Sequence, residues 1–103
     1  MTLEYQPAAV ADLHRLCEYI EHVLKNPSAA AAQRKSILRK VSLLKEAPLM
    51  GMALRSKYEA LETDIRFLIV GKQLVFYEVR GRTISVLRIL DGRTDYIREL
   101  FHV

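Results

Sequence analysis

The C-terminal half of the chain contains short segments in which nearly every side chain is apolar. Residues 65–70 are apolar except for Arg66, residues 74–79 are apolar except for Glu78, and a third such segment spans 83–90. Glycine-containing turns of hairpin length separate them, which predicts three antiparallel strands. Successive side chains of a strand point to opposite faces, so both faces of this sheet require cover. We expect the C-terminal segment or a second chain to supply the cover of the second face.

Two helices are predicted before the sheet. Between residues 8 and 25 the apolar side chains recur at steps of three or four, which is typical of one helix face. These positions are Val10, Leu13, Cys17, Ile20 and Leu24. Asn26 and Pro27 provide a stop and a new helix start, and a second helix is predicted over 29–46, ended by Pro48. The apolar faces of this helical hairpin favour packing on the sheet.

The remaining segments are short. Residues 3–6 alternate enough to predict a first strand, and residues 48–62 show no strong period. Met50, Met52 and Leu54 around Gly51 predict an irregular segment whose side chains still pack. Together the pattern predicts an α+β fold, with a small, mostly antiparallel four-stranded sheet and the helical hairpin on one face.

Composition limits the class of protein. A chain of 103 residues is expected to form a single domain spanning 1–103. The net charge of +4 and isoelectric point near 9.4 favour an anionic partner. One cysteine, no signal peptide in residues 1–6 and no apolar run of roughly 20 residues predict a soluble cytoplasmic protein without a membrane partner.

Cations beside the strand ends are the candidate binding residues: Arg66, Arg80, Arg82, Arg88, Arg93 and Arg98. Charge is costly among apolar strand residues, so Arg66 and Arg88 need a reason to be there. They either pair with Glu78 across strands or bind phosphate or carboxylate groups. The cations of the second helix are interpreted as a solvated face.

Several kinds of site are not supported by the sequence. His14, His22 and His102 are too scattered to predict a metal site. Cys17 lies on the apolar stripe of the first helix and is interpreted as a small core residue. No glycine-rich phosphate loop is present in the sequence. We therefore expect neither a metal nor a cofactor.

The order of these segments resembles that of the RelE/ParE superfamily, toxins of bacterial type II toxin–antitoxin modules. The resemblance covers essentially the whole chain and rests on five segments: NPSAA at 26–30, LKEAP at 44–48, DIRFLIV at 64–70, VFYEV at 75–79 and RILDGRTDY at 88–96. It implies the element order β-α-α-β-β-β-α. It also implies a cognate antitoxin that wraps the toxin, and a complex that binds operator DNA through the antitoxin.

The superfamily implies two possible targets. ParE-like members inhibit DNA gyrase, whereas RelE-like members cut mRNA on the ribosome with cationic residues and a proton-transferring side chain. By resemblance Arg66, Arg93 and Tyr96 would be catalytic if the protein is RelE-like, since a helix would place Arg93 and Tyr96 on one side. Tyr96 as a packing residue is the alternative. His102 is similar to a C-terminal histidine of some ribosome-dependent members.

The acid–base set is incomplete, so the ParE-like interpretation is preferred. An antitoxin segment with acidic residues is expected on the apolar sheet face or the hairpin groove. The residues expected to contact target or antitoxin are Arg55, Lys57, Arg66, Arg88, Arg93 and Arg98. A further alternative is a non-toxic basic adaptor that binds nucleic acid or protein.

Overall fold

The computed structural model describes residues 1–102 and contains a sheet, a helical hairpin and a short C-terminal helix. The elements are β1 (Thr2–Tyr5), α1 (Pro7–Glu18), α2 (Pro27–Ser42), β2 (Met52–Ala53), β3 (Arg66–Val70), β4 (Gln73–Arg80), β5 (Thr83–Asp91) and α3 (Tyr96–Phe101). The strand order is β1-β5-β4-β3-β2, with β1 parallel to β5 and the other pairs antiparallel. The predicted α+β fold is confirmed.

The sheet has five strands where four were predicted. The additional strand, β2, is two residues long and pairs with the start of β3 through Met52–Phe67 and Ala53–Arg66. A strand this short has no detectable period of its own. Pairing with β3 rather than local sequence therefore defines it.

The hairpin helices start where the sequence predicts. Pro7 and Pro27 occupy first-turn positions, and the Asn26 side chain accepts a hydrogen bond from the Ala29 amide at 3.1 Å. α1 continues into a π-helical turn at Tyr19–Val23, and α2 into a 3₁₀ turn at Leu43–Lys45. No helix among residues 1–102 is both long and apolar enough to cross a membrane.

The hairpin packs on one face of the sheet. Between them lies the first of two clusters of buried apolar side chains. This first cluster joins residues of α1 and α2 to one alternating set of strand residues. Its buried members include Ala9, Ile37, Val41, Leu44, Leu68, Val70, Val75, Tyr77, Ile84, Val86 and Ile89. Two positions of the predicted helix stripe, Val10 and Leu24, are exposed instead. The apolar stripe of α1 is therefore narrower than its sequence suggests.

The opposite face is covered by the chain itself. α3 and the segment between β2 and β3 pack over the second alternating set of strand residues. The buried members of this second cluster include Leu54, Ile65, Phe67, Leu74, Phe76 and Tyr96. The C-terminal segment thus supplies cover that the sequence assigned either to that segment or to a second chain.

Candidate functional site

The three predicted catalytic residues are not brought together. Arg66 shares its strand parity with Leu68 and Val70 of the first cluster, so its side chain lies on the hairpin face. Tyr96 belongs to the second cluster on the opposite face. Arg93 follows the last residue of β5, Asp91, which pairs with Gln73 at the start of β4. Arg66 pairs with Tyr77 toward the end of β4, so Arg93 and Arg66 lie at opposite ends of the strands.

Tyr96 is a core residue with an occupied hydroxyl group. It is 6% exposed, and its ring packs against Phe76 with centroids 5.2 Å apart. Its Oη accepts from Lys57 Nζ at 3.0 Å and lies 3.0 Å from Tyr58 Oη. Burial raises the pKa of Tyr96, but the hydrogen bonds of Lys57 and Tyr58 and the Lys57 charge bring the pKa below its ordinary value.

The Arg66 guanidinium group donates hydrogen bonds to main-chain carbonyl groups. Its Nη1 donates to Gly51 O at 2.8 Å and to Leu49 O at 3.4 Å. Beside it, the Tyr77 hydroxyl accepts from Gly51 N at 2.9 Å and donates to Pro48 O at 2.8 Å. Arg66 therefore holds the connection between α2 and β2 in place.

Arg93 lies in the turn before α3 and not on the helix, which begins at Tyr96. The predicted common side of Arg93 and Tyr96 is therefore wrong. Arg93 Nη2 donates to Asp91 Oδ2 at 2.9 Å, and its Nε and main-chain N donate to Asp91 Oδ1 at 3.0 and 2.8 Å. These bonds to Arg93 lower the pKa of Asp91 to about 2.

Arg88 forms a buried ion pair that the sequence did not predict. Its Nε and Nη2 donate to the two carboxylate oxygens of Asp12 at 2.7 and 2.9 Å, and Nη1 lies 3.6 Å from Glu99. Asp12 is 5% exposed and also accepts from the Ile89 amide at 2.9 Å. The predicted pairing of Arg66 or Arg88 with Glu78 is wrong.

The pairing of Arg88 with Asp12 follows from the short length of β1. β1 pairs with β5 only as far as Val86, so the edge of β5 beyond it needs another acceptor, and Asp12 of α1 supplies it. The hydrogen bond to Asp12 raises the pKa of Arg88. Glu78 instead pairs with Arg80 at 3.2 Å on the surface. Arg88 thus has a structural role within the fold.

The remaining predicted cations are dispersed. Arg55 lines a cavity of about 390 Å³ with Arg66, Leu49 and Asp64. Lys57 lies on the opposite face against Tyr96, while Arg98 is an exposed residue of α3. The six predicted contact residues therefore do not form one patch.

The histidines and the cysteine lie apart from these cations. His14 pairs with Glu18 at 3.1 Å, and His22 and His102 are exposed. Cys17 is buried, as predicted. Among the described residues, no group of three or more potential metal ligands is arranged around a common point.

A groove lies along the helical hairpin, which was one of the two places where the sequence predicted an antitoxin segment. The groove has a volume of about 730 Å³, and small or apolar side chains such as Ala30, Ala31 and Leu38 line it. Arg34, Lys35 and Arg39 also line it, with Glu21 as its one acidic side chain. The alanine run of α2 is the sequence signal for such a groove, because small residues leave space between helices.

Comparison with known proteins identifies the family. Residues 3–96 match the family described as "ParE toxin of type II toxin-antitoxin system, parDE". A solved structure described as the chromosomal ParDE TA system from P. aeruginosa has the same fold, with a TM-score of 0.72 and 24% identity over 88% of this chain and 95% of that chain. No curated protein sequence matches the chain significantly. Because the family match runs from β1 to the start of α3, the chain belongs to the ParE toxin family of type II toxin–antitoxin systems.

Proposed function

We propose that this toxin arrests growth by inhibiting DNA gyrase, in the cytoplasm, and that it does not cleave mRNA. The observation that carries the proposal is the separation of Arg66 and Tyr96 onto opposite faces of the sheet. Attack of a 2′-hydroxyl on a phosphate requires a base, an acid and cations around the same atoms. A protein-binding inhibitor requires only a complementary surface.

The environment of Tyr96 supports the same conclusion. A general base must reach the proton that it removes, but the Tyr96 hydroxyl is already hydrogen-bonded to Lys57 and Tyr58. The Arg66 guanidinium already donates to two main-chain carbonyl groups. Neither side chain has the free, convergent geometry that phosphate cleavage requires.

One observation favours the alternative, an endoribonuclease that acts on ribosome-bound mRNA. Lys57 contributes to a Tyr96 pKa below its ordinary value, which is the change that a tyrosine base would need. A substrate that reached Tyr96 from the Lys57 side would still meet Arg66 on the wrong face of the sheet. We therefore keep this activity as the second candidate.

Two assays separate the candidates. Purified toxin is incubated with gyrase and relaxed plasmid, and separately with programmed ribosomes. We expect loss of supercoiling and intact message. Cleavage at defined codon positions that disappears in Arg93→Ala and Tyr96→Phe, with gyrase activity unchanged, would refute gyrase inhibition and support the endoribonuclease.

We further propose that the antitoxin places an acidic amphipathic helix in the hairpin groove. The floor of the groove includes Ala30, Ala31 and Leu38, and three cations face one carboxylate around it. An apolar floor with a basic rim fits the helix-in-groove mode of recognition. The bound antitoxin would supply the operator-DNA contacts of the complex.

A charge reversal tests this groove. In Lys35→Glu/Arg39→Glu we expect antitoxin affinity to fall by about tenfold or more, because rim cations would repel acidic residues. Arg93→Glu makes the same kind of change outside the groove, at a cation that the sequence analysis favoured. Calorimetry in which only Arg93→Glu weakens binding would move the contact to the β5–α3 turn.

A further inference from the structure

The connection between α2 and β3 exposes three large apolar side chains in four residues. Leu49, Met50 and Met52 are 63%, 43% and 54% exposed, whereas Gly51 between them is buried. We call residues 49–52 the apolar loop. The prediction that Met50, Met52 and Leu54 pack is right for Leu54, which is fully buried, and wrong for the two methionines. Exposed apolar side chains clustered on one loop are typical of a protein contact.

Side chains of β3 and β4 hold the main chain of the apolar loop in place. The Tyr77 hydroxyl bonds both Gly51 N and Pro48 O, and Arg66 donates to the carbonyl groups of Leu49 and Gly51. The Met50 amide donates to Ala47 O at 3.0 Å. A buried tyrosine and a partly buried arginine are thus committed to holding a loop whose side chains point to solvent.

Close packing adds to this restraint. A Cβ atom on Gly51 would lie 2.6 Å from Tyr77 Oη and 2.8 Å from Phe67 O, so the loop approaches the sheet as closely as a glycine permits. A loop ordered before binding loses less conformational entropy in the complex. The apolar loop is therefore preorganised, and methionine side chains can still adapt to the partner's surface.

Cations outnumber carboxylates in the chain next to the loop. Between residues 40 and 55 the chain carries Lys40, Lys45 and Arg55 against the single carboxylate of Glu46. Arg55 and Arg66 line the cavity beside Leu49, together with Asp64. The excess of cations complements an apolar cleft that has acidic groups at its rim.

We propose that the apolar loop is the toxin's docking element for its target protein, inserted into an apolar, acid-rimmed cleft of gyrase. The inference rests on the proposed gyrase inhibition. The hairpin groove contains no residue of the apolar loop, so target docking and antitoxin docking are assigned to different surfaces. Substitutions in the loop should then separate toxicity from neutralisation.

The test compares wild-type toxin, Leu49→Ser/Met50→Ser and the matched control Val23→Ser/Leu24→Ser. The control residues are 63% and 56% exposed and lie at the hairpin tip. We expect the loop variant to need about tenfold more toxin for half-inhibition of gyrase supercoiling, and to bind gyrase more weakly by the same factor in calorimetry. Its melting temperature and its affinity for the antitoxin should match wild type, and the control should inhibit normally.

Each other result has a distinct meaning. Wild-type toxin that leaves gyrase unaffected overturns both the proposed function and this inference. Inhibition by wild type and loop variant at equal concentrations overturns the docking assignment and leaves gyrase inhibition standing. Antitoxin affinity that falls in the loop variant assigns the loop to the antitoxin and also overturns the inference.

Discussion

At the scale of single residues, the contacts of the charged side chains decide their roles. Arg66 and Arg88 lie at positions where the sequence indicated either an ion pair or a binding role. The partner of Arg88 is Asp12, 76 positions away in the chain. No local pattern contains that pairing, because it depends on where β1 stops pairing with β5. The sequence predicted that these charges need partners, and only the fold determines which ones.

Gly51 gives the sharpest test at this scale. Gly51→Ala introduces a methyl group within 2.6 Å of Tyr77 Oη and 2.8 Å of Phe67 O. We expect a loss of about 1–3 kcal/mol in the free energy of unfolding, the usual cost of overpacking. Urea denaturation measures it.

Gly92→Ala is the matched control for this substitution. Its added Cβ would meet Lys72 O at 3.6 Å, an ordinary van der Waals distance. We expect Gly92→Ala to unfold at nearly the wild-type urea concentration. Equal destabilisation of the two variants would show that the close approach at Gly51 is not the cause.

At the scale of elements, apolar steps of three or four residues in the helices and short apolar segments between glycine-containing turns in the strands predict most of the fold. The predicted helices 8–25 and 29–46 correspond to α1 and α2 with their terminal turns, and the predicted strands 65–70, 74–79 and 83–90 correspond to β3, β4 and β5. β2 escapes prediction because two residues carry no period. The sequence did not decide what covers the second face of the sheet, because a short amphipathic segment and a second chain could each bury the same apolar strand residues.

The ion pair of Asp12 connects three elements and supports a second prediction. Asp12 of α1 bonds Arg88 and the Ile89 amide of β5, and Arg88 also reaches Glu99 of α3. Asp12→Ala leaves the buried Ile89 amide unpaired and removes both short hydrogen bonds of the mostly buried Arg88 guanidinium group, which keeps only Glu99 at 3.6 Å. We expect a loss of about 3–5 kcal/mol in the free energy of unfolding.

The exposed pair of the same sheet is the control. Glu78→Ala removes the partner of Arg80, whose side chain is 69% exposed, and should lower the free energy of unfolding far less than Asp12→Ala does. Chemical denaturation of both variants under identical conditions gives the comparison. Similar losses in the two would mean that burial adds nothing to the Asp12–Arg88 interaction.

At the scale of the whole molecule, the sheet separates groups that a nuclease would need together. Tyr96 and Lys57 lie on one face of the sheet. Arg66 and Arg55 line the same cavity, and Arg93 lies at the opposite end of the strands from Arg66. The sequence placed Arg66 on a strand but not on a face, because strand parity reverses with a shift of one residue, and it placed Arg93 on a helix that begins only at Tyr96. The candidate site was therefore less predictable than the fold.

The pH dependence of the stability of the whole fold provides the third prediction. Asp91 has an ordinary pKa of 3.8, which its hydrogen bonds to Arg93 lower to about 2 in the folded chain. A lower pKa in the folded state means that the unfolded chain binds the proton more tightly. The stabilisation by Asp91 is therefore complete above pH 3.8 and disappears as the pH falls toward 2.

Asp91→Asn isolates this contribution, because it removes the titrating group and keeps an oxygen that accepts from the Arg93 amide. We expect the variant to be less stable than wild type at pH 7, with a difference that shrinks steadily as urea denaturation is repeated at lower pH. The Asp91 side chain is 26% exposed and that of Arg93 is 79% exposed, so salt should reduce the difference as well. A difference that stays constant between neutral pH and pH 2 would contradict the lowered pKa. It would leave the turn geometry, rather than the charge of Asp91, as what stabilises the start of α3.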